Sequence, residues 1–289
     1  MSVVTADGNP GSLDAQEAER LVGAGGARVL DVRTPSEFRN LGHIEGAALL
    51  PVDMIACAVA TLPRDDVPLL VYCEHGVRSA YAARFLARAG FPKVINMSGG
   101  MSCWRGPREF TAGSPYGALG PSPWLVANVD LLPRAGDALD VACGTGRHAL
   151  LLASAGWSVR AVDRDAGAIA QLSSDARRLE APVVAETLDL ESGDASLGLD
   201  AFDLILVVHY LHRPLFPALV RALRPGGLLL YETFTTAQAL RGKPTNPDFL
   251  LKPGELPALV APLSVERSFE GESEDRMVAA VAARKSGRG

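Results

Sequence analysis

Residues 138–156 read ALDVACGTGRHALLLASAG. An apolar run broken by one acid, a turn holding Gly144 and Gly146, and an Ala/Leu-rich stretch make a strand, a tight turn and a helix. Glycine at those two places lets the backbone pass close to a ligand at the helix N-terminus. Trp157–Val162 then reads as a second strand, which brings Asp163 and Arg164 to its end. An acid there is placed to accept hydrogen bonds from ribose hydroxyls. TLDLES (Thr187–Ser192) puts Asp189 and Leu190 after a third strand. Acids at two strand ends suit a neutral adenosine with free hydroxyls and repel a nucleoside phosphate.

Outward from this stretch, strands are expected at Ala138–Val141, Ser158–Val162, Val183–Leu188, Phe202–Val208 and Gly227–Phe234. Helices at Arg147–Ala155, Ala166–Leu179 and Leu215–Leu223 alternate with them, the pattern of a parallel α/β sheet. The tail VERSFEGESEDRMVAAVAARK (Val265–Lys285) suggests an antiparallel pair at the sheet end. In the first half, Ala27–Val32, Pro68–Tyr72 and Lys93–Asn96 read as short strands, and Ser79–Ala89 as an amphipathic helix closed by Gly90. Gly106–Pro123 is rich in glycine and proline and keeps no apolar period, so it reads as a linker. Two α/β domains follow, over residues 1–112 and 113–289.

A net charge of −5 gives no general affinity for phosphate backbones, which disfavours nucleic acid as a partner. Met1–Glu19 has no apolar core of signal-peptide length. The longest apolar run, Ala47–Leu62, is interrupted by Pro51 and Asp53, so no membrane span is expected. Cys57, Cys73, Cys103 and Cys143 have neither metal-ligand spacing nor disulfide-scaffold density. A reducing cytoplasmic setting and no bound metal are the expectations.

VYCEHGVRSA (Val71–Ala80) sets Cys73 directly after an apolar strand and before a helix. Backbone amides of the following turn can curl around the sulfur, and the helix N-terminus adds partial positive charge, both stabilising a thiolate. Arg78 is expected to add a formal charge. A buried structural cysteine is the bland alternative. Residues 12–105 resemble the rhodanese-like family through LDVRTPSEFRNLGHIEGA (Leu30–Ala47), CEHGVRS (Cys73–Ser79) and GGMSCW (Gly99–Trp104). The resemblance implies that Cys73 carries a persulfide sulfur, with Asp31 and Arg33 shaping the site. Four residues between Cys73 and Arg78 match the sulfur-carrying members and not the wider loop of the phosphatase relatives. Glu74 is expected to raise the thiol pKa and repel a dianionic donor such as thiosulfate. Cys103 is either a resolving thiol or a small buried hydrophobe.

Gly144-Thr-Gly146-Arg-His-Ala149 also fits a dinucleotide fingerprint, which leaves a nicotinamide-dependent oxidoreductase as the rival. Asp140 before the glycines, the FDLILVVHYL strand (Phe202–Leu211) and RPGGLLLYE (Arg224–Glu232) favour another family. Over residues 120–285 they resemble the Rossmann-like, seven-stranded S-adenosylmethionine methyltransferases, within them the tellurite-resistance and thiopurine methyltransferase-like group. The resemblance implies S-adenosylmethionine as cofactor. Asp140, Gly144 and Gly146 would line its methionine, Asp163 its ribose and Asp189 its adenine. Ala142, Cys143, Arg164, Leu190 and Val208 would complete the binding wall. Ala142 replaces the first glycine of the usual pattern, and its methyl is expected to crowd the cofactor.

His209, Tyr210, His212 and Arg213 follow the fourth strand at the carboxyl edge where open sheets bind ligands. His209 is a candidate base for a small thiol or hydroxyl acceptor, with Tyr210, His212 and Arg213 as candidate substrate contacts; packing or capping is the alternative for each. The segment from Glu232 to Leu256 is long and Pro-rich, a candidate lid. Its Arg241, Lys243 and Lys252 either attract an anionic acceptor or form a solvated surface. A sulfur-carrying domain joined to a methyltransferase suggests a sulfur, selenium or tellurium acceptor. The alternative is a non-catalytic binding or redox-sensing module beside the methyltransferase.

Overall fold

A computed structural model describes residues 9–110, 120–192 and 196–287. Residues 111–119 of the expected linker and 1–8 of the N-terminal segment lie outside the described residues. The chain divides into two compact units, one ending at Gly120 and the other carrying most of the chain from Pro121 onward.

In the first unit the elements run β1 (Gly11–Leu13), α1 (Ala15–Gly23), β2 (Arg28–Asp31), α2 (Pro35–Asn40), β3 (Ala48–Leu49) and α3 (Ala56–Thr61). They continue with β4 (Leu69–Tyr72), α4 (Val77–Arg88), β5 (Val94–Met97) and α5 (Gly100–Cys103). The sheet order is β1-β5-β4-β2-β3, parallel throughout. Central β4 is buried along its whole length, as a strand covered on both faces must be. Capping boxes start α1 at Asp14/Glu17 and α2 at Thr34/Glu37. The expected strands and helix appear within two residues of their predicted ends. The short β1 and β3 offer too few residues for any period to show.

The second unit holds α6 (Pro123–Ala127), β6 (Asp137–Val141), α7 (Arg147–Ser154), β7 (Ser158–Asp163), α8 (Ala166–Leu179) and β8 (Val183–Thr187). β9 (Phe202–Val208), α9 (Phe216–Ala222), β10 (Leu223–Phe234), α10 (Glu255–Leu259), β11 (Ser264–Ser273) and β12 (Arg276–Arg284) follow. Its seven strands are ordered β11-β12-β10-β9-β6-β7-β8, with β12 antiparallel to both of its neighbours and the rest parallel. β10 starts earlier than expected because Leu223 already pairs with Phe202 before the RPGG irregularity. Leu139, Val141, Ile205, Val207, Leu229 and Val281 pack into one core. Edge strand β11 is almost wholly exposed, and Glu266, Arg267, Glu270 and Glu272 along it discourage further pairing.

The order places the site. The chain runs outward from β6 through β7 to β8, then returns to β9 on the other side of β6. The loops after β6 and β9 therefore part above the sheet and leave a crevice at the carboxyl edge. In the first unit, α5 is tied to the loop after β4 by Met101 N–H to Cys73 O (2.9 Å) and Ser102 N–H to Glu74 O (3.0 Å). Gly100 there has φ +59°, and a Cβ would fall inside contact distance of the Cys73 and Glu74 carbonyl oxygens. Gly100→Ala should destabilise the first unit by roughly 2–4 kcal/mol. Urea unfolding would read this as a lower midpoint for that unit, and an unchanged midpoint would contradict it.

Candidate functional site

Cys73 follows β4, and Gly76, at φ +81°, turns the chain into α4. The turn aims donors at the sulfur: Gly76 N–H at 3.1 Å, Ser79 N–H at 3.4 Å and Ser79 Oγ at 3.4 Å. Burial raises the thiol pKa, but hydrogen bonds from Ser79 and from the His75 and Gly76 amides outweigh it and hold Cys73 below its ordinary value. Arg78 also feels the Cys73 charge, yet its guanidinium forks onto Glu37, with Nη1 2.9 Å from Oε2. That pairing pulls the Glu37 carboxyl down to about 2, against the opposing effect of burial.

Glu74 does not act as expected. Its carboxylate takes a 2.8 Å bond from Arg33 Nη1, and Arg33 is itself fully buried, bonded to Asp31 and to Gly42 O. The charge expected to raise the thiol pKa is spent on Arg33, and the thiol is lowered instead. Asp31 and Arg33 shape the site by anchoring Glu74. Cys103 is exposed at the end of α5, which removes the buried-hydrophobe reading.

In the second unit a cavity of about 500 Å³ opens at the carboxyl edge. Of the candidates, it gathers Ala142, Asp163, Arg164, Asp189, Leu190, His209 and Tyr210. Asp163 Oδ2 accepts from Gly144 N–H (2.8 Å) and Oδ1 from Asp165 N–H (2.9 Å), which fixes the carboxylate at the turn and leaves lone pairs for hydroxyl donors. Asp189 Oδ1 is likewise set by the Glu191 amide at 2.9 Å. Ala142 adopts φ +54°, a left-handed backbone that glycine takes without cost.

Asp140, Cys143, Gly144, Gly146 and Val208 do not form the cavity wall. Asp140 is buried two residues before Ala142, and its Oδ2 has no hydrogen-bond partner. Burial pushes this carboxyl up to about 7, despite the Ala149 amide and the Arg147 charge. An uncompensated buried acceptor fits a ligand that brings a cationic or N–H group, such as an amino-acid ammonium. Burial raises the Cys143 thiol above its ordinary value. Gly144 and Gly146 shape the turn, and Gly146, at φ +82°, starts α7.

On the acceptor side, His212 and Arg213 stand outside the cavity wall. Arg213 is committed to Glu255 (2.7 Å) and to the carbonyls of Asp248 and Leu250 (2.9 Å each), so it ties the Pro-rich segment to the fold. Lys243, Pro244 and Phe249 from that segment line the cavity, whereas Arg241 pairs with Glu272 on the surface and Lys252 is exposed. Sequence reasoning missed Phe234, which stacks on His209 at 4.6 Å, and Glu232, a buried carboxylate 3.4 Å from His209 Nε2. An acid inside the apolar run LLLYETF was the signal for the latter.

Among known proteins, a family model described as a rhodanese-like domain matches residues 14–106, and one described as a methyltransferase domain matches residues 138–227. The thiosulfate sulfurtransferase GlpE of Ectopseudomonas mendocina is 38% identical over 104 residues, which are 35% of this chain and 93% of that protein. GlpE of Shewanella oneidensis is 34% identical over 92 residues, 32% of this chain and 89% of the relative. Among solved structures, TehB from Haemophilus influenzae superposes with TM-score 0.49 at 18% identity, covering 58% of this chain and 63% of its own. An S-adenosylmethionine dependent methyltransferase from Mesorhizobium loti gives 0.47 at 19%, covering 57% and 99%. No helix among the described residues is long and apolar enough to cross a membrane.

The Cys73 geometry fixes an expected titration. The difference in thiolate absorbance between the wild-type chain and Cys73→Ala should show Cys73 ionising below an ordinary thiol, about pH 8.5. Ser79→Ala should move that midpoint upward, since it removes a donor to the anion. A midpoint that Ser79→Ala leaves in place would contradict the cradle.

Proposed function

Because the chain belongs to the rhodanese-like family through its first domain and carries a methyltransferase domain as its second, we propose that it couples a persulfide-forming cysteine to methyl transfer from S-adenosylmethionine. The methyl acceptor is a small molecule, with a thiol or other chalcogen compound as the leading class. The observation that carries the cofactor assignment is the cavity of about 500 Å³ with Ala142, Asp163 and Asp189 on its wall and the orphaned Asp140 two residues before Ala142. Its size suits a nucleoside-sized ligand. Asp163 would take the ribose hydroxyls, Asp189 the adenine edge and Asp140 the methionine ammonium. When bound, the cofactor supplies an electrophilic methyl group. The chain's own part is to orient the acceptor for in-line approach and to exclude water. His209, Tyr210, Phe234 and Phe249 do this from the wall.

In the first domain the Cys73 thiolate attacks the outer sulfur of a donor. An S–S bond forms to Cys73, the donor's own S–S bond breaks, and the leaving group departs as sulfite or a thiolate. Oxyanion and persulfide charge would be held by the loop amides. Arg33 offsets part of the Glu74 charge while also holding Asp31, so the repulsion of a dianionic donor such as thiosulfate is lessened and thiosulfate is retained as a donor to test. A cysteine held in a donor-lined turn favours this over a non-catalytic module. We place the division between the domains near residues 112–113.

Calorimetry should show S-adenosylmethionine and S-adenosylhomocysteine binding, NAD(H) failing to bind, and Asp163→Ala weakening the interaction by about 1–3 kcal/mol. Binding of NAD(H) with no response to either sulfonium or thioether would replace the methyltransferase reading with the oxidoreductase one. Intact mass after thiosulfate treatment should show one added sulfur atom, absent in Cys73→Ser. A gain that survives Cys73→Ser and vanishes in Cys103→Ser would move the chemistry to Cys103.

A further inference from the structure

His209 and Glu232 meet through the sheet register. Val208, the last residue of β9, pairs with Glu232 of β10, and His209 N–H donates to Glu232 O at 2.8 Å. His209 then takes φ +59°, and its ring stacks on Phe234. Nε2 comes to lie 3.4 Å from Glu232 Oε1. A non-glycine residue in this conformation is costly and marks a side chain held for a purpose.

The partners of the ring decide its tautomer. Nδ1 lies 3.4 Å from Arg276 Nη1. A guanidinium has hydrogens to give and no lone pair to offer, so Nδ1 is the bare nitrogen and Nε2 carries the proton. Glu232 is suited to receive it. Its other oxygen, Oε2, lies 3.3 Å from Ser122 Oγ. Ser122 Oγ already accepts the Trp124 and Leu125 amides, so its single hydrogen points to Glu232. The Ser122 amide in turn donates to Nε2 of His148 (3.0 Å), whose pKa burial holds far below the ordinary value, leaving that ring neutral. Ser122 Oγ therefore donates to Glu232 Oε2, Oε1 faces His209 Nε2, and Glu232 is 4% exposed.

Resting on the methyltransferase reading, we infer that Glu232 is a positioning residue that holds His209 as a base with Nδ1 bare, and that the methyl acceptor is a neutral X–H nucleophile, a thiol or hydroxyl that still carries its proton. In the step, the X lone pair bonds the methyl carbon, the C–S pair returns to sulfur, and the X–H proton passes to Nδ1. The imidazolium is then stabilised by Glu232. Arg276 is an exposed side chain and can yield its place beside Nδ1 to X–H. Other charged residues lining the ring's cavity are Asp163, Asp189, Glu191, Arg164 and Lys243. Glu232 and Arg276 are the charged groups in direct contact with the ring.

The test uses the full chain in two arms. In protein labelled with ¹⁵N-histidine, the resonance lost in His209→Gln should show the Nε2–H tautomer; an Nδ1–H tautomer would overturn the inference whether or not the Glu232 variants fold. With labelled S-adenosylmethionine and 2-mercaptoethanol as probe acceptor, Glu232→Gln should lower kcat about 10–100-fold with little change in KM. It should also move the acid limb of the kcat profile to lower pH, because the ring loses its counter-charge. Glu232→Asp should recover part of the rate. An unmoved acid limb in Glu232→Gln would overturn the positioning role, as would wild-type transfer to hydrosulfide anion but to no thiol or alcohol. Failure of the methyltransferase reading would instead show as no cofactor binding with the Nε2–H signature intact.

Discussion

Both sites depend on one backbone constraint: a glycine in the left-handed conformation that turns a buried parallel strand into a helix. Gly76 does this between β4 and α4 at φ +81°, and Gly146 between β6 and α7 at φ +82°. Neither helix has a side-chain cap, so its first amides stay directed at the turn. In the first domain those amides point at a sulfur. In the second, the Gly144 amide fixes Asp163 from the next strand. The same local geometry therefore serves a thiolate in one case and orients a carboxylate in the other.

The two domains treat buried acids differently. Asp31 is fully buried, and so is Arg33, which carries it and reaches on to Glu74. Such a network is costly to desolvate and costly to break, and its return is a fixed shape around Cys73. Asp140 is as deeply buried, and its Oδ2 is left unsatisfied. That contrast separates an acid paired within the fold from one that keeps an unsatisfied oxygen. Glu232 is intermediate, satisfied at one oxygen by Ser122 and close to His209 at the other.

Much of this was legible because ligand-facing residues of an open sheet come directly after strands. Ala142, Asp163, Asp189, His209 and Tyr210 each lie at the last residue of a strand or within two residues after it, and they meet in one cavity. Chemistry that depends on distant partners was not legible. Glu74 reads as a free charge until Arg33, 41 positions away, is seen bonded to it. Arg213 sits at the right strand end, but its pairing with Glu255 turns it into a clamp for the Pro-rich segment. Glu232 stands out in the sequence as an acid inside the apolar run LLLYETF, but its approach to His209 depends on the pairing of β9 with β10 and the left-handed turn at His209.

We propose that the glycine turn of the second domain receives a ligand whose ammonium completes Asp140. Burial raises this carboxyl to about 7, and a bound cation would favour its ionised form. Calorimetric titration of S-adenosylhomocysteine at pH 7, in buffers of different ionisation enthalpy, measures the protons exchanged. The account predicts release of roughly half a proton per site, lost in Asp140→Asn. Tight binding with no net proton release, or with the same release in Asp140→Asn, would contradict it.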